Sequence, residues 1–465
     1  MKSLILTALF LMAPSVFSQH LEGVLTQVYG DPQADSQDAR INYYLNSNDR
    51  SWRLDISQTK LSQQSIRSLL NQPVQVIIDD DQQIYSDQSL ISVLSIEPDL
   101  SRSGLAPKAV ILGTKPWVSV LCKFKDRSNE TEPLNYFQNM YANLPAGLDH
   151  YWREVSYDQI NVVGSNAYDW VTLPKNRDEY LDVNNDPDLS QMFDDCIAAV
   201  DALVDFSDNG FGQAYEGINM MFNDTFGCCA WGGGRYETLD GLSKLWRVTW
   251  NPPWAIHKQG TIAHEMGHGF GLPHANNSDG DSNPYDSPWD VMSSSGGYSV
   301  NDPVYGLLGK HINMSYKYNL GWVTDAVGYI ANPSSQQIVT LEYTAKASSP
   351  HPRFIRIPLN DGTNYFVEAR KKVGNYEANL PGNAVIVHHV DWNRNEPAWV
   401  VDGDNPPANY ADTEGVMWKV GETFYDARDG YQVSVLAVTT DGFQIQINGP
   451  YGLPDLIFAD GFESP

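Results

Sequence analysis

The sequence predicts a multidomain α+β protein, with a mixed α/β domain in the middle and a β domain on either side. Three observations carry this. The chain has 465 residues, too many for one compact core. Short β-prone runs separated by turn residues fill both ends. Between them, strands alternate with segments whose apolar residues recur at helical spacing.

The first eighteen residues stand apart. MKSLILTALFLMAPSVFSQH has a positive Lys2, an apolar stretch from Leu4 to Met12 and small residues at Val16 and Ser18. That is the pattern of a secretory signal peptide, so 1–18 is set aside from the fold and the mature protein is expected outside the cell. No later apolar run has transmembrane length. Residues 19–108 read as short strands (LEGVLTQVYG, RINYYLNS, SWRLDIS, QPVQVIID, LISVLSIEP), which suits a small β-barrel or sandwich. Residues 109–325 form the mixed domain. There PWVSVLCKFKD is a strand, EPLNYFQNMYANLPAGLDHYWREVS a helix bent at Pro145, and DPDLSQMFDDCIAAVDALVDF a second helix. GINMMFND, CCAWGGGRYE and LWRVTWN follow as strands. Residues 326–450 return to β pattern and read as a sandwich, and 451–465 form a short acidic tail.

The net charge of −27 leaves no cationic surplus to meet phosphates, so nucleic acid is not an expected partner. Four cysteines, Cys122, Cys196, Cys228 and Cys229, allow two disulfides in an oxidising compartment, with three connectivities open. The thirteen tryptophans are read as core and interface packing.

The chemistry concentrates in AHEMGHGFGLPHAN, residues 263–276. On a helix, His264 and His268 lie one turn apart on one face and can grip one ion. Glu265 sits next to the first ligand and can reach a water on the metal without ligating it. Gly271 can turn left-handed and end the helix, Pro273 prevents its resumption, and the returning chain offers His274. Three protein ligands leave a coordination position open, as in a catalytic zinc site. Zinc lowers the pKa of its water, and Glu265 would act as general base and then as acid. A chance HExxH has odds of roughly one in a hundred in such a chain; adding Gly271 and His274 makes that about one in fifty thousand.

HEMGHGFGLPH resembles the HExxHxxGxxH signature of the metzincin zinc proteases. The resemblance implies a metzincin-type α/β catalytic domain, zinc endopeptidase activity on protein or peptide substrates, and a supporting Met-turn at Met292 in SPWDVMSSS. It also implies an edge strand above the active-site helix. CCAWGGGRYE fits that place, with Ala230, Trp231, Gly232 and Gly233 offering backbone to substrate, although a Gly-rich hairpin fits the same residues. The wider pattern (NMMFND, KYNLGWV, YFVEARKKVGNYEANLPGNAVIVHHVD) is most similar to gametolysin-like and immune inhibitor A-like secreted peptidases. The third histidine favours the former. Ala275 matches no common subfamily residue, and Ser294 stands where some metzincins place a tyrosine. The competing expectations are a zinc-keeping adhesion protein without turnover and a zinc amidase acting on cell-wall peptide.

Weaker signals complete the reading. Asp279, Asp281 and Asp286 in SDGDSNPYD, and Asp182, Asp186 and Asp188 in DVNNDPD, could bind calcium or could be solvated turns. His388 and His389 alternate across a strand and cannot easily share a metal. His257 begins the motif helix too far upstream to ligate. The N-terminal segment could impose latency, but it holds no cysteine to cap a metal. Tyr29-Gly30-Asp31 faintly resembles the aspartate switch of astacins, and Gly-Asp-Pro is read by preference as an ordinary turn. The tail LIFADGFESP resembles C-terminal segments of exported proteins from some Gram-negative bacteria, and the protein is expected to be a monomer.

Overall fold

The computed structural model describes residues 19–450 apart from 34–38, 48–49, 79–89, 100, 102–109, 282, 405–406 and 408–412. Residues 1–18, expected to be a signal peptide, and the tail 451–465 lie outside the described residues. Among those residues, no helix is long and apolar enough to cross a membrane.

The expected α+β class with a metzincin-type α/β centre is overturned. Among the described residues strand accounts for 36 % and helix for 16 %, so the described fold is mostly β. One reason is local. The long helix expected over EPLNYFQNMYANLPAGLDHYWREVS is two short ones, Leu134–Asn139 and Leu148–Ser156. Pro145 lies between them, and Ala146 has φ 75°, which no helix accommodates. The other reason is long-range. The first strand, Gln19–Pro32, closes a five-stranded barrel and also joins the central sheet, so barrel and centre share ten strands.

The order in that sheet is Arg40–Ser47, Arg50–Asp55, Ile91–Pro98, Pro73–Ile78, Gln19–Pro32, Cys229–Leu239, Leu242–Asn251, Gly217–Phe222, Trp117–Lys123 and Asn166–Thr172. Gln19–Pro32 also pairs with Arg40–Ser47, which closes the barrel. The last four strands run parallel to one another and are covered on both faces. Trp117 and Leu121 belong to the core that includes the motif helix; Val118, Val120 and Cys122 belong to the core on the other face. That alternation puts Cys122 against the helix Leu189–Val200, and a Cys122–Cys196 disulfide ties sheet to helix. The second disulfide joins the adjacent Cys228 and Cys229.

Toward the C-terminus a six-stranded sheet runs Asn276–Asn277, Ala398–Val400, Ala384–Val390, Asn364–Arg370, Ile355–Pro358 and Tyr329–Ile330. Ala384–Val390 is buried along its whole length, because this sheet is covered on both faces. Val385 and Val387 pack with the four-stranded sheet that holds Val339, Val433 and Ile445; Ala384 and Ile386 pack beside Trp289. Its connection to the site is direct. Asn276 and Asn277, just beyond the third motif histidine, pair with Trp399 and Val400. The wholly buried Arg370 is paired with Glu368 and Glu377 and donates to the Trp289 carbonyl at 2.6 Å, three residues before Met292. A buried ion network of this kind is costly to break, because removing one member strands the others.

Candidate metal centre

The motif helix spans Gln259–Gly269 and is buried from Gln259 to His268. It begins two residues after the exposed His257, which instead ends a short turn, Pro253–Ile256, and lies 3.7 Å from Glu132. Gly271 has φ +87° and its N–H returns to the His268 carbonyl, so the helix ends where the left-handed residue allows. The reversal brings His274 back beside His264 and His268, with ring centroids 5.3 and 4.7 Å away.

Two histidines are oriented by the backbone. His264 Nδ1 donates to the Val291 carbonyl at 2.6 Å, and His268 Nδ1 donates to the Leu272 carbonyl at 2.7 Å. A carbonyl only accepts, so in the neutral rings both Nε2 atoms carry lone pairs. Those two Nε2 atoms face each other at 3.0 Å. A shared proton or a metal ion between them would relieve that repulsion. The imidazole nitrogens are buried and convergent, and they belong to a group that could hold a metal ion.

The fourth member comes from the barrel. The Asp31 carboxylate lies 2.6 Å from His274 Nε2, 3.3 Å from His264 Nε2 and 3.4 Å from His268 Nε2. The reading of Gly-Asp-Pro as an ordinary turn is therefore corrected: Asp31 and Pro32 are the end of a strand, and Asp31 is a member of a buried four-residue group able to hold a metal. Burial pushes the Asp31 carboxyl up, but His264 and His274 outweigh it and hold it well below the usual range. Burial and the neighbouring Asp31 push Glu265 well above its usual value. Glu265 is wholly buried and neither of its carboxylate oxygens is hydrogen-bonded.

Asp31 reaches the centre because its strand pairs antiparallel with Cys229–Leu239, in the register Val28–Gly233, Tyr29–Gly232, Gly30–Trp231, Asp31–Ala230 and Pro32–Cys229. Ala230, Trp231, Gly232 and Gly233 thus lie in a strand, with the hairpin turn later, at Asp240 and Gly241, but the expected edge strand is corrected: Gln19–Pro32 pairs on one side of it and Leu242–Asn251 on the other. Gly232 is needed for contact: a Cβ there would stand 2.3 Å from the Glu265 carbonyl of the motif helix. Tyr29 stacks on His268 with centroids 4.1 Å apart, so the barrel strand covers the second ligand as well.

Met292 lies beneath the helix. Its carbonyl accepts from Ala275 N at 2.9 Å, and its sulfur would sit 2.5 Å from a Cβ placed on Gly267. Tyr285 is a site residue that spacing does not reveal. Its hydroxyl donates to Asp31 Oδ1 at 2.7 Å and its ring meets His274 edge-on at 5.5 Å. Beside the centre a cleft of about 500 Å³ opens between Pro32, Trp254, Thr261, Tyr285 and Leu307, with Glu265 in its wall. Neither His388 nor His389 joins a metal-holding group among the described residues. His388 lies near Glu368, and His389 bonds to Thr363, Arg394 and Arg428.

The barrel is fastened at two further points. Arg40 pairs with Asp186. Arg67 donates to three consecutive-loop carbonyls, those of Trp392, Arg394 and Asn395, the last at 2.8 Å.

No protein-family model matches the chain, and no curated protein matches it. Among solved structures, wild-type OgpA from Akkermansia muciniphila is similar at 12 % identity, over 74 % of this chain and 96 % of that one. The TM-score is 0.27, a likeness too slight to carry over either fold or activity.

Proposed function

We propose that this chain is an exported zinc endopeptidase held latent by its own N-terminal barrel. The observation that carries the reading is the Asp31 carboxylate among three imidazoles, on a strand paired to the strand beside the motif helix. The resemblance of HEMGHGFGLPH to the metzincin peptidases supports the same activity. Export is supported by the signal-like N-terminus and suits two disulfides.

His264, His268 and His274 would hold the zinc, which supplies a Lewis acid that polarises a carbonyl and lowers the pKa of water. The remaining work belongs to the chain. When Val28–Pro32 withdraws, Ala230 to Gly233 can pair with an extended peptide in its place, by strand addition. Glu265 then takes a proton from water on a carboxylate oxygen and returns it to the leaving amide nitrogen. Burial of Glu265 raises its pKa, which favours the protonated carboxyl that the return step needs. Tyr285, once separated from Asp31, could donate its hydroxyl to the substrate's carbonyl oxygen.

The test uses the full chain. Bound zinc is measured, and wild type, Asp31→Ala and the Asp31→Ala, Glu265→Ala double variant are compared on a denatured protein. Chelator-sensitive cleavage by Asp31→Ala, absent from the double variant, is the expected result. A protein that binds zinc and cleaves nothing, even after the barrel is removed by limited proteolysis, is a binding protein. Hydrolysis confined to cell-wall peptide amides identifies an amidase.

A further inference from the structure

We propose a second cation site, for calcium, formed by the carboxylates of Asp279, Asp281 and Asp286 in the loop between His274 and Met292. Oxygen atoms from the three side chains lie within 4.8 Å of one another. Asp286 is 2 % exposed, and neither of its oxygens makes a hydrogen bond. The N–H groups of Asn277 and Asp286 face this carboxylate without forming a hydrogen bond of normal geometry, so it still needs a proton or a cation. Burial, with Asp279 and Asp281 adding their charge, pushes Asp286 up to about 8. A divalent ion among the three reverses that repulsion. The donors are all hard oxygens and graded in burial, from the buried Asp286 through Asp279 to the exposed Asp281, which suits calcium better than a transition metal.

The other aspartate-rich loop differs at one residue: Asp279 and Asp281 also accept turn N–H groups, from Asp281 and Asn283, but the other loop has no counterpart of the buried Asp286. Asp182 Oδ1 accepts from the N–H groups of Asn184 and Asp186, Asp186 is paired with Arg40, and Asp188 caps the helix at Gln191. Those carboxylates are committed to turns, a cap and an ion pair. Among the described residues those three do not form a metal-holding group.

The proposed site lies between two parts of the protein. Tyr285, next to Asp286, contacts Asp31 and His274. At the other end of the loop Asn276 and Asn277 pair with Trp399 and Val400, and Ser278 Oγ accepts from Asp402 N at 3.0 Å. Calcium would hold the wall of the cleft to the C-terminal sheet. This inference rests on the loop's own geometry and not on the protease reading; zinc enters its test only to keep calcium off the histidines.

The experiment titrates calcium into the full chain whose histidine centre is already saturated with zinc, followed by calorimetry, by the thermal midpoint and by terbium luminescence sensitised through tyrosine. One equivalent of calcium is expected, with a raised midpoint and a terbium signal that Tyr285→Phe weakens. Asp286→Asn is expected to weaken calcium binding at least about tenfold, and Asp182→Asn to leave it unchanged. Should Asp286→Asn fail to fold, the exposed Asp281→Asn is expected to weaken binding likewise. No calcium binding at millimolar concentration by the folded wild type overturns the proposal. So does binding by Asp281→Asn as tight as wild type.

Discussion

The histidine half of the metal centre and the aspartate half reach it by different routes. His264, His268 and His274 come from eleven residues of chain, positioned by one helix and the left-handed turn at Gly271. Asp31 comes from 243 residues before His274, delivered by a barrel strand that pairs with Cys229–Leu239. The first half is built by local geometry and is backed by the buried core under Met292. The second depends on docking: five residue pairs of a strand, the Arg40–Asp186 pair and the Arg67 contacts. The two halves are therefore held by separate sets of contacts, the arrangement that the proposed latency needs.

The comparison is broken or sharpened by four measurements. The largest effect is expected at Glu265. In the Asp31→Ala background, Glu265→Ala should lower kcat by about a thousandfold while leaving bound zinc at one equivalent. Loss of zinc instead would make Glu265 a structural part of the centre. Next is Asp31→Ala in the intact chain. Removing one member of a buried charged group is worth about 3 kcal/mol, which corresponds to about a hundredfold gain in cleavage of a denatured protein. Unchanged activity would mean that strand pairing, not the carboxylate, imposes latency.

Arg67→Ala tests the docking alone. It should raise basal cleavage up to about tenfold, since charged hydrogen bonds are worth about 1.5–3 kcal/mol and water replaces part of that. Zinc content should be unaffected, because Arg67 contacts carbonyls far along the chain. The smallest effect is on pH dependence. Asp286 has a folded pKa of about 8 against an ordinary 3.8. Between those values the folded chain keeps a proton that the unfolded chain has lost, so without divalent cations stability should fall as pH rises. Calcium should flatten that fall, as seen in thermal midpoints across the range.

Much of the centre is legible in the sequence because helical spacing is local. HEMGHGFGLPH names three histidines and a glutamate, and the fold keeps the three histidines together. Cys122 alternates with Val118 and Val120, and Cys196 shares a helix face with Phe193 and Ile197, so both are expected in a core; that they bond each other depends on which core, and the sheet decides it. The mostly-β class is less legible. Apolar spacing over EPLNYFQNMYANLPAGLDHYWREVS suggests one bent helix, whereas Pro145 and the left-handed Ala146 divide it. Tyr285 carries no spacing signal at all, since a tyrosine in a polar loop is ordinary.

By itself, then, the sequence determined the three histidines, the glutamate beside them and the glycine that returns the chain, because a helix and its stop are set by neighbours a few residues apart. Only the tertiary structure decided that Asp31 is not a turn residue, that Tyr285 contacts it, and which of two similar aspartate loops leaves a buried carboxylate bare. Each of those depends on strand pairing or burial between distant segments, and pairing partners are chosen by the whole fold and not by spacing along the chain.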